Sequence, residues 1–98
     1  MGKKVYLITD EDKTGIELAL EIKGDEEITI CLLQDAVFFA NKKTPEIGEA
    51  INQKFKVVAC KEDIDRRGIH KFIFDEVVLQ DYSEIVDTLL EADKIINA

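Results

Sequence analysis

A chain of 98 residues, 46% of them hydrophobic, can bury one core and is too short for two domains. Its formal net charge of −8 opposes a salt-driven grip on nucleic acid or an anionic membrane, since both need a basic face. No stretch approaches the roughly 20 apolar residues of a membrane span, so neither a membrane nor direct nucleic acid is expected as a partner.

Lys4 to Thr9 reads as a first strand. Its unbroken run Val5-Tyr6-Leu7-Ile8 suggests burial on both faces, as in a parallel sheet. The same run is too short for the core of a signal peptide, so the chain is read as cytoplasmic. Asp10-Glu11-Asp12 is a polar turn. Lys13 to Lys23 has helical spacing, with Ile16, Ala19 and Leu20 on one face, and Gly24 is the expected stop. Glu27 to Leu33 is a second strand centred on Cys31. Gln34-Asp35 turns the chain into a short helix, Ala36 to Asn41. There, Phe38 and Phe39 stand side by side, so one faces the core and the other is left for association. Thr44 caps the next helix, with Pro45 at its first position, and that helix runs to about Gln53. Phe55 to Ala59 is a third strand that ends at Cys60. Lys61 to Arg67 is a short helix stopped by Gly68. Glu76 to Leu79 is a fourth strand. Asp81 and Glu84 form a capping box for the last helix, whose buried face is expected to be Ile85, Val86, Leu89 and Leu90. Lys94 to Ile96 adds a short edge strand. This rhythm predicts a single α/β domain, residues 1–98, with a mostly parallel sheet and helices on both faces.

In such sheets reactive groups gather at the carboxyl ends of strands. Cys60 stands there, at the start of a helix whose free N–H groups favour a thiolate, while Glu62, Asp63 and Asp65 oppose one. The bland reading is a small buried residue finishing a strand. Cys31, in mid-strand, is expected to be packed and inert. A disulfide between the two is not expected in a reducing compartment. His70 is the only histidine, so zinc has no ligand set. It would serve as a base only if the fold carried it to Cys60. Asp10 to Asp12 would suit magnesium, but a solvated turn is the simpler account. No metal and no cofactor is expected. Gln34 and Asp35 close the second strand beside Cys60, where Asp35 either caps a helix or orients a ligand. Arg66 and Arg67 suit the last turn of their helix and are candidates for holding an anionic partner.

"LLQDAV" (Leu32 to Val37), "KVVACKEDIDRRGI" (Lys56 to Ile69) and "VVLQDYSEIVDTLLEADKIINA" (Val77 to Ala98) together resemble the DsrE/DsrF/DsrH family of sulfur-relay proteins, nearest its DsrH/TusB branch. The resemblance runs the whole chain. It implies a flavodoxin-like α/β domain with a largely parallel five-stranded sheet. It also implies homo-oligomers or hetero-oligomers with DsrE/DsrF-like subunits, and sulfane sulfur passed as a cysteine persulfide between donor and acceptor proteins. In the family this serves tRNA 2-thiouridine formation or sulfur oxidation. The spacing of Cys60 to Arg66-Arg67-Gly68 is similar to that of the sulfur-carrying DsrE/TusD branch. The following Glu62-Asp63 resembles the TusB branch, which usually has an aliphatic residue where Cys60 stands. The aromatic C-terminus common in that branch is missing. Three readings follow: a persulfide carrier, hence a sulfurtransferase, acting through Cys60; a structural subunit of a sulfur-relay oligomer; and a small-ligand or phospho-signalling module using Asp10 to Asp12.

Overall fold

A computed structural model of the chain describes residues 2–21 and 26–97. The five strands are β1 (Lys3–Ile8), β2 (Glu27–Leu32), β3 (Lys56–Cys60), β4 (Val78–Gln80) and β5 (Lys94–Asn97). They form one wholly parallel sheet in the order β4-β3-β2-β1-β5. The helices are α1 (Thr14–Glu21), α2 (Pro45–Asn52), α3 (Lys61–Arg67) and α4 (Tyr82–Glu91). The expected stop at Gly24 lies outside the described residues.

The chain steps from β1 to β4 in one direction and then returns over the whole sheet to place β5 beside β1. Right-handed crossovers therefore put α1 and α2 on one face and α4 on the other. Alternation sorts the side chains accordingly. Tyr6, Ile8, Ile30, Leu32, Val57 and Ala59 form the α1–α2 side of the core, and all are buried. Val5, Cys31, Val58 and Cys60 face α4 and are buried as well. That second face has one helix for five strands. A helix with its side chains is about 10 Å across, while five strands span about 19 Å. The amino end of this face is accordingly charged and wet, with Lys3, Glu27 and Lys56 all exposed.

Several boundaries differ from the sequence reading. The segment after β2 is a 3₁₀ helix, Gln34–Ala40, that begins at Gln34 rather than Ala36. Phe55 precedes β3, and β4 starts at Val78 instead of Glu76. Phe39 enters the core and Phe38 stays exposed, dividing the pair as expected. The capping box of α4 is present: Glu84 N–H donates to Asp81 Oδ1 at 2.8 Å, and Asp81 N–H to Glu84 Oε1 at 3.0 Å. Its predicted apolar face is corrected. Ile85 and Leu89 turn inward, whereas Val86 and Leu90 are exposed, because a lone helix on a sheet contacts it along a single narrow stripe.

α2 and α3 end alike. Gly68 N–H bonds to Asp65 O at 3.2 Å and Ile69 N–H to Ile64 O at 3.4 Å, with Gly68 at φ 65°. Lys54 N–H bonds to Ile51 O at 3.0 Å and Phe55 N–H to Ala50 O at 3.0 Å, with Lys54 at φ 68°. This is one Schellman stop written twice, once with the residue that favours it and once without.

Candidate functional site

The carboxyl ends of β2 and β3 are adjacent, and the segments leaving them meet over one buried carboxylate, Asp63. It lies in the first turn of α3 and is the only fully buried charged side chain among the described residues. Its Oδ2 accepts the Gln34 N–H at 2.8 Å. Its Oδ1 accepts Arg66 at 3.1 Å, the Tyr82 hydroxyl at 3.2 Å and Arg67 at 3.5 Å. Burial pushes the Asp63 carboxyl up. The Gln34 N–H, the Cys60 thiol, the Tyr82 hydroxyl and Arg67 outweigh it, so the group sits below the ordinary aspartate range and is ionised.

The Gln34 bond has a local cost. Gln34 has φ 54°, in the left-handed region that a non-glycine residue visits only when something holds it there. Asp63 is that holder, and it thereby ties the entry of the 3₁₀ helix to α3. Asp35, next in line, accepts from Arg67 at 2.8 Å, and the Arg67 guanidinium lies 5.8 Å from the centre of the Phe38 ring.

Cys60 borders this network, and here the sequence expectation is corrected. A reachable thiol with a thiolate-favouring helix start was expected at the rim. The residue is instead 0% exposed, because Tyr82 and Glu62 close over the end of β3. The Cys60 thiol faces Glu62 Oε1 at 3.5 Å, and the other oxygen of Glu62 accepts the Tyr82 N–H at 3.4 Å. Burial raises the thiol's pKa first of all. The nearby Asp63 N–H favours the thiolate, but the Asp63 carboxylate works against it, so the group remains a thiol. The cover is thin, since Tyr82 itself reaches solvent. Cys31 lies deeper on the same face, where burial pushes its thiol up to about 12.

Cys60, Gln34, Asp35, Arg66 and Arg67 are thus gathered into one constellation, and the residue at its centre was not among the candidates. Asp63 and Tyr82 were both missed. The available signal for Asp63 was its place three residues after a strand-ending Cys60, in the first turn of a helix. For Tyr82, only the tertiary arrangement brings α4 back to β3. His70 is exposed and borders a separate cavity with Lys42 and Phe74, away from Cys60. The carboxylates of Asp10 and Asp12 turn the chain: Asp10 accepts the Asp12 N–H, and Asp12 accepts both the N–H and the hydroxyl of Thr14. Among the described residues no three His, Cys, Asp or Glu side chains are grouped to hold a metal ion. No helix among them is long and apolar enough to cross a membrane.

The same architecture occurs in the ychN protein from E. coli, with a TM-score of 0.83 and 20% identity over 98% of this chain and 99% of that one. A protein of unknown function from Methanobacterium thermoautotrophicum superposes with a TM-score of 0.81 and 14% identity, over 100% of both chains. Another, from Bacteroides thetaiotaomicron, gives a TM-score of 0.80 and 19% identity over 99% of this chain and 95% of that one. At these identities the likeness is one of fold. No curated protein sequence matches significantly. The profile described as "DsrH like protein" matches residues 11–95, nearly the whole chain, and the chain therefore belongs to the DsrH-like family, among the proteins related to sulfur relay.

Proposed function

We propose that this chain is a structural subunit of a sulfur-relay oligomer, assembling with DsrE/DsrF-like subunits that carry the sulfur. One observation carries the reading: the thiol of Cys60 is enclosed and protonated between Glu62 and Asp63. Sulfur relay requires a thiolate that a donor protein can touch. The Asp63 constellation then serves as a brace that fixes the carboxyl edge of the sheet for docking. Whether the oligomer feeds tRNA thiolation or sulfur oxidation is decided by its other subunits.

A second reading, the persulfide carrier, is favoured by the position of Cys60 at the carboxyl end of β3, beside Glu62 and the solvent-exposed Tyr82. If these two draw aside, the Cys60 thiolate attacks the outer sulfur of a donor persulfide. A new sulfur–sulfur bond forms on Cys60, the donor's bond breaks, and the donor leaves as a thiolate with no net oxidation. Intact mass after incubation with a persulfide donor separates the two. The structural reading expects no added sulfur on the chain alone, together with a stoichiometric complex when a DsrE/DsrF-like subunit is co-expressed. A dithiothreitol-reversible gain of one sulfur, lost in Cys60→Ser and kept in Cys31→Ser, would overturn it in favour of the carrier.

A further inference from the structure

Two chain segments are laced together beside β4. The Lys42 N–H donates to Phe72 O at 2.8 Å, the Phe74 N–H donates to Ala40 O at 3.0 Å, and Asn41 bridges antiparallel to Ile73. Asn41 Oδ1 accepts the Lys43 N–H at 2.8 Å, which closes the turn. Lys42 and Lys71 are thereby carried on separate segments, and both line one cavity of about 300 Å³. His70 and Asp75 line it too and are exposed, whereas its floor is apolar: Val77 is buried, and Phe74 and Leu79 are half-buried. The Phe74 ring lies against Gly48 of α2, where a methyl group would come within 3.5 Å of it. A second hollow of about 410 Å³ shares Lys42 and Lys71 and adds Lys43 and the Phe72 ring, which is 58% exposed. None of the three lysines forms an ion pair among the described residues, and Asp75 is the only acid among those lining either hollow.

We propose that these joined hollows bind a nucleoside monophosphate. In a chain of net charge −8, three lysines and the only histidine reverse the sign locally, above an apolar floor. Cations gathered without acids repel one another, and an anion seated between them relieves this. A phosphate monoester, with up to two charges and three acceptor oxygens, suits Lys42 and Lys71, with Lys43 and His70 beside them. The flat base then lies on Phe74, over Val77 and Leu79. Asp75 opposes a bare anion and suits a ligand with N–H or O–H groups to donate, as base and sugar have. The volume stands at the lower end of small-ligand sites, about 300–1,000 Å³, which favours one nucleotide over two. A longer strand would leave the lysines for a chain of the opposite overall sign. The laced backbone holds both segments in place before the ligand arrives, which lowers the ordering cost of binding. Leu79 pairs with Ala59, on the α1–α2 side of the sheet, so the site lies on the opposite face from Cys60. The proposal therefore rests neither on the structural-subunit reading nor on any role of Cys60.

Isothermal titration calorimetry on the full chain tests it, with adenosine 5′-monophosphate as the probe. Saturable binding is expected below about 1 mM, weakening as salt is raised. Adenosine, ribose 5-phosphate and inorganic phosphate, which each lack one half of the ligand, are expected to bind at least about tenfold more weakly. Lys42→Ala/Lys71→Ala should weaken the nucleotide about tenfold or more, with an unchanged circular dichroism spectrum. Should that pair misfold, Lys42→Ala alone, at an exposed position, gives the same contrast with a smaller loss. Lys56→Ala/Lys94→Ala removes the same charge elsewhere and should leave binding within about twofold of wild type. Absence of saturable nucleotide binding overturns the proposal. So does inorganic phosphate or ribose 5-phosphate binding as tightly as the nucleotide, since the ring then adds nothing. An unaffected Lys42→Ala/Lys71→Ala variant, or an equal loss in the Lys56→Ala/Lys94→Ala control, refutes the location. Tighter binding of an eight-residue oligouridylate than of the mononucleotide would assign the surface to single-stranded nucleic acid instead.

Discussion

Replacing Asp63 by asparagine removes one charge and leaves the shape almost unchanged, so it isolates what the buried carboxylate contributes. Asparagine still offers one oxygen to the Gln34 N–H, bonded at 2.8 Å in the wild type. A charge-assisted hydrogen bond is roughly twice as strong as a neutral one, so about 1 kcal/mol is lost there. The Arg66 side chain is 65% exposed and contributes little. Arg67 keeps Asp35 as a partner, while the new amide N–H₂ points at donors, for roughly another 1 kcal/mol. The sum is a destabilisation of about 2 kcal/mol, or a fall in Tm of about 10 °C for a domain of this size. Asp63→Ala, which orphans the Gln34 N–H outright, should cost about 3–4 kcal/mol. Urea unfolding monitored by circular dichroism measures both. Acid supplies the control. Folded Asp63 ionises below its reference value of 3.8, so its contribution is complete above that value and is lost as pH falls through the folded pKa. The gap between wild type and Asp63→Asn should therefore close on acidification. An Asp63→Asn variant within about 0.5 kcal/mol of wild type at neutral pH would refute the reasoning. So would a gap that persists unchanged into acid.

Native alkylation should leave both cysteines largely unlabelled, since burial holds Cys31 and Cys60 as covered thiols; Tyr82→Ala should accelerate labelling of Cys60 alone, as peptide mapping would show. Lys54→Gly should stabilise the chain by about 1 kcal/mol in urea unfolding, because it relieves a left-handed residue in a complete helix stop. Gly68→Ala, at the equivalent place after α3, should cost about 1 kcal/mol, since no neighbour crowds the new methyl group and only the backbone conformation objects. Leu90→Ser should change the unfolding free energy of the monomer by less than about 0.5 kcal/mol, because the side chain is already in water.

The parallel sheet was legible because its signals are local. Val5 to Ile8 and Val57 to Ala59 are unbroken apolar runs, and Pro45, Gly68 and the Asp81–Glu84 box punctuate helices where they occur. The shelter over Cys60 was not legible. It depends on α4 starting beside the end of β3, a relation set by the crossover and not by any spacing along the chain. The exposure of Val86 and Leu90 was hidden for the same reason. Helical periodicity reports that a face is apolar; only the packing partner decides whether it is covered. Asp63 was read as one more charge repelling a thiolate, since an anion's donors cannot be seen when they lie on Gln34 and Tyr82.

The return of α4 across the sheet has a consequence for the order in which the molecule is built. β1 is the first strand to be synthesised and β5 the last, yet they are neighbours, with Lys4 opposite Lys94 and Tyr6 opposite Ile96. While β2, β3 and β4 assemble on one side of β1, its other side presents unpaired N–H and C=O groups beside the apolar run Val5 to Ile8. A strand in that condition is a template for any extended chain nearby. Closing it requires contacts between residues about ninety positions apart, which lengthens the search. The nascent domain is thus sticky until its final strand arrives, and Lys94 to Asn97 act as the seal.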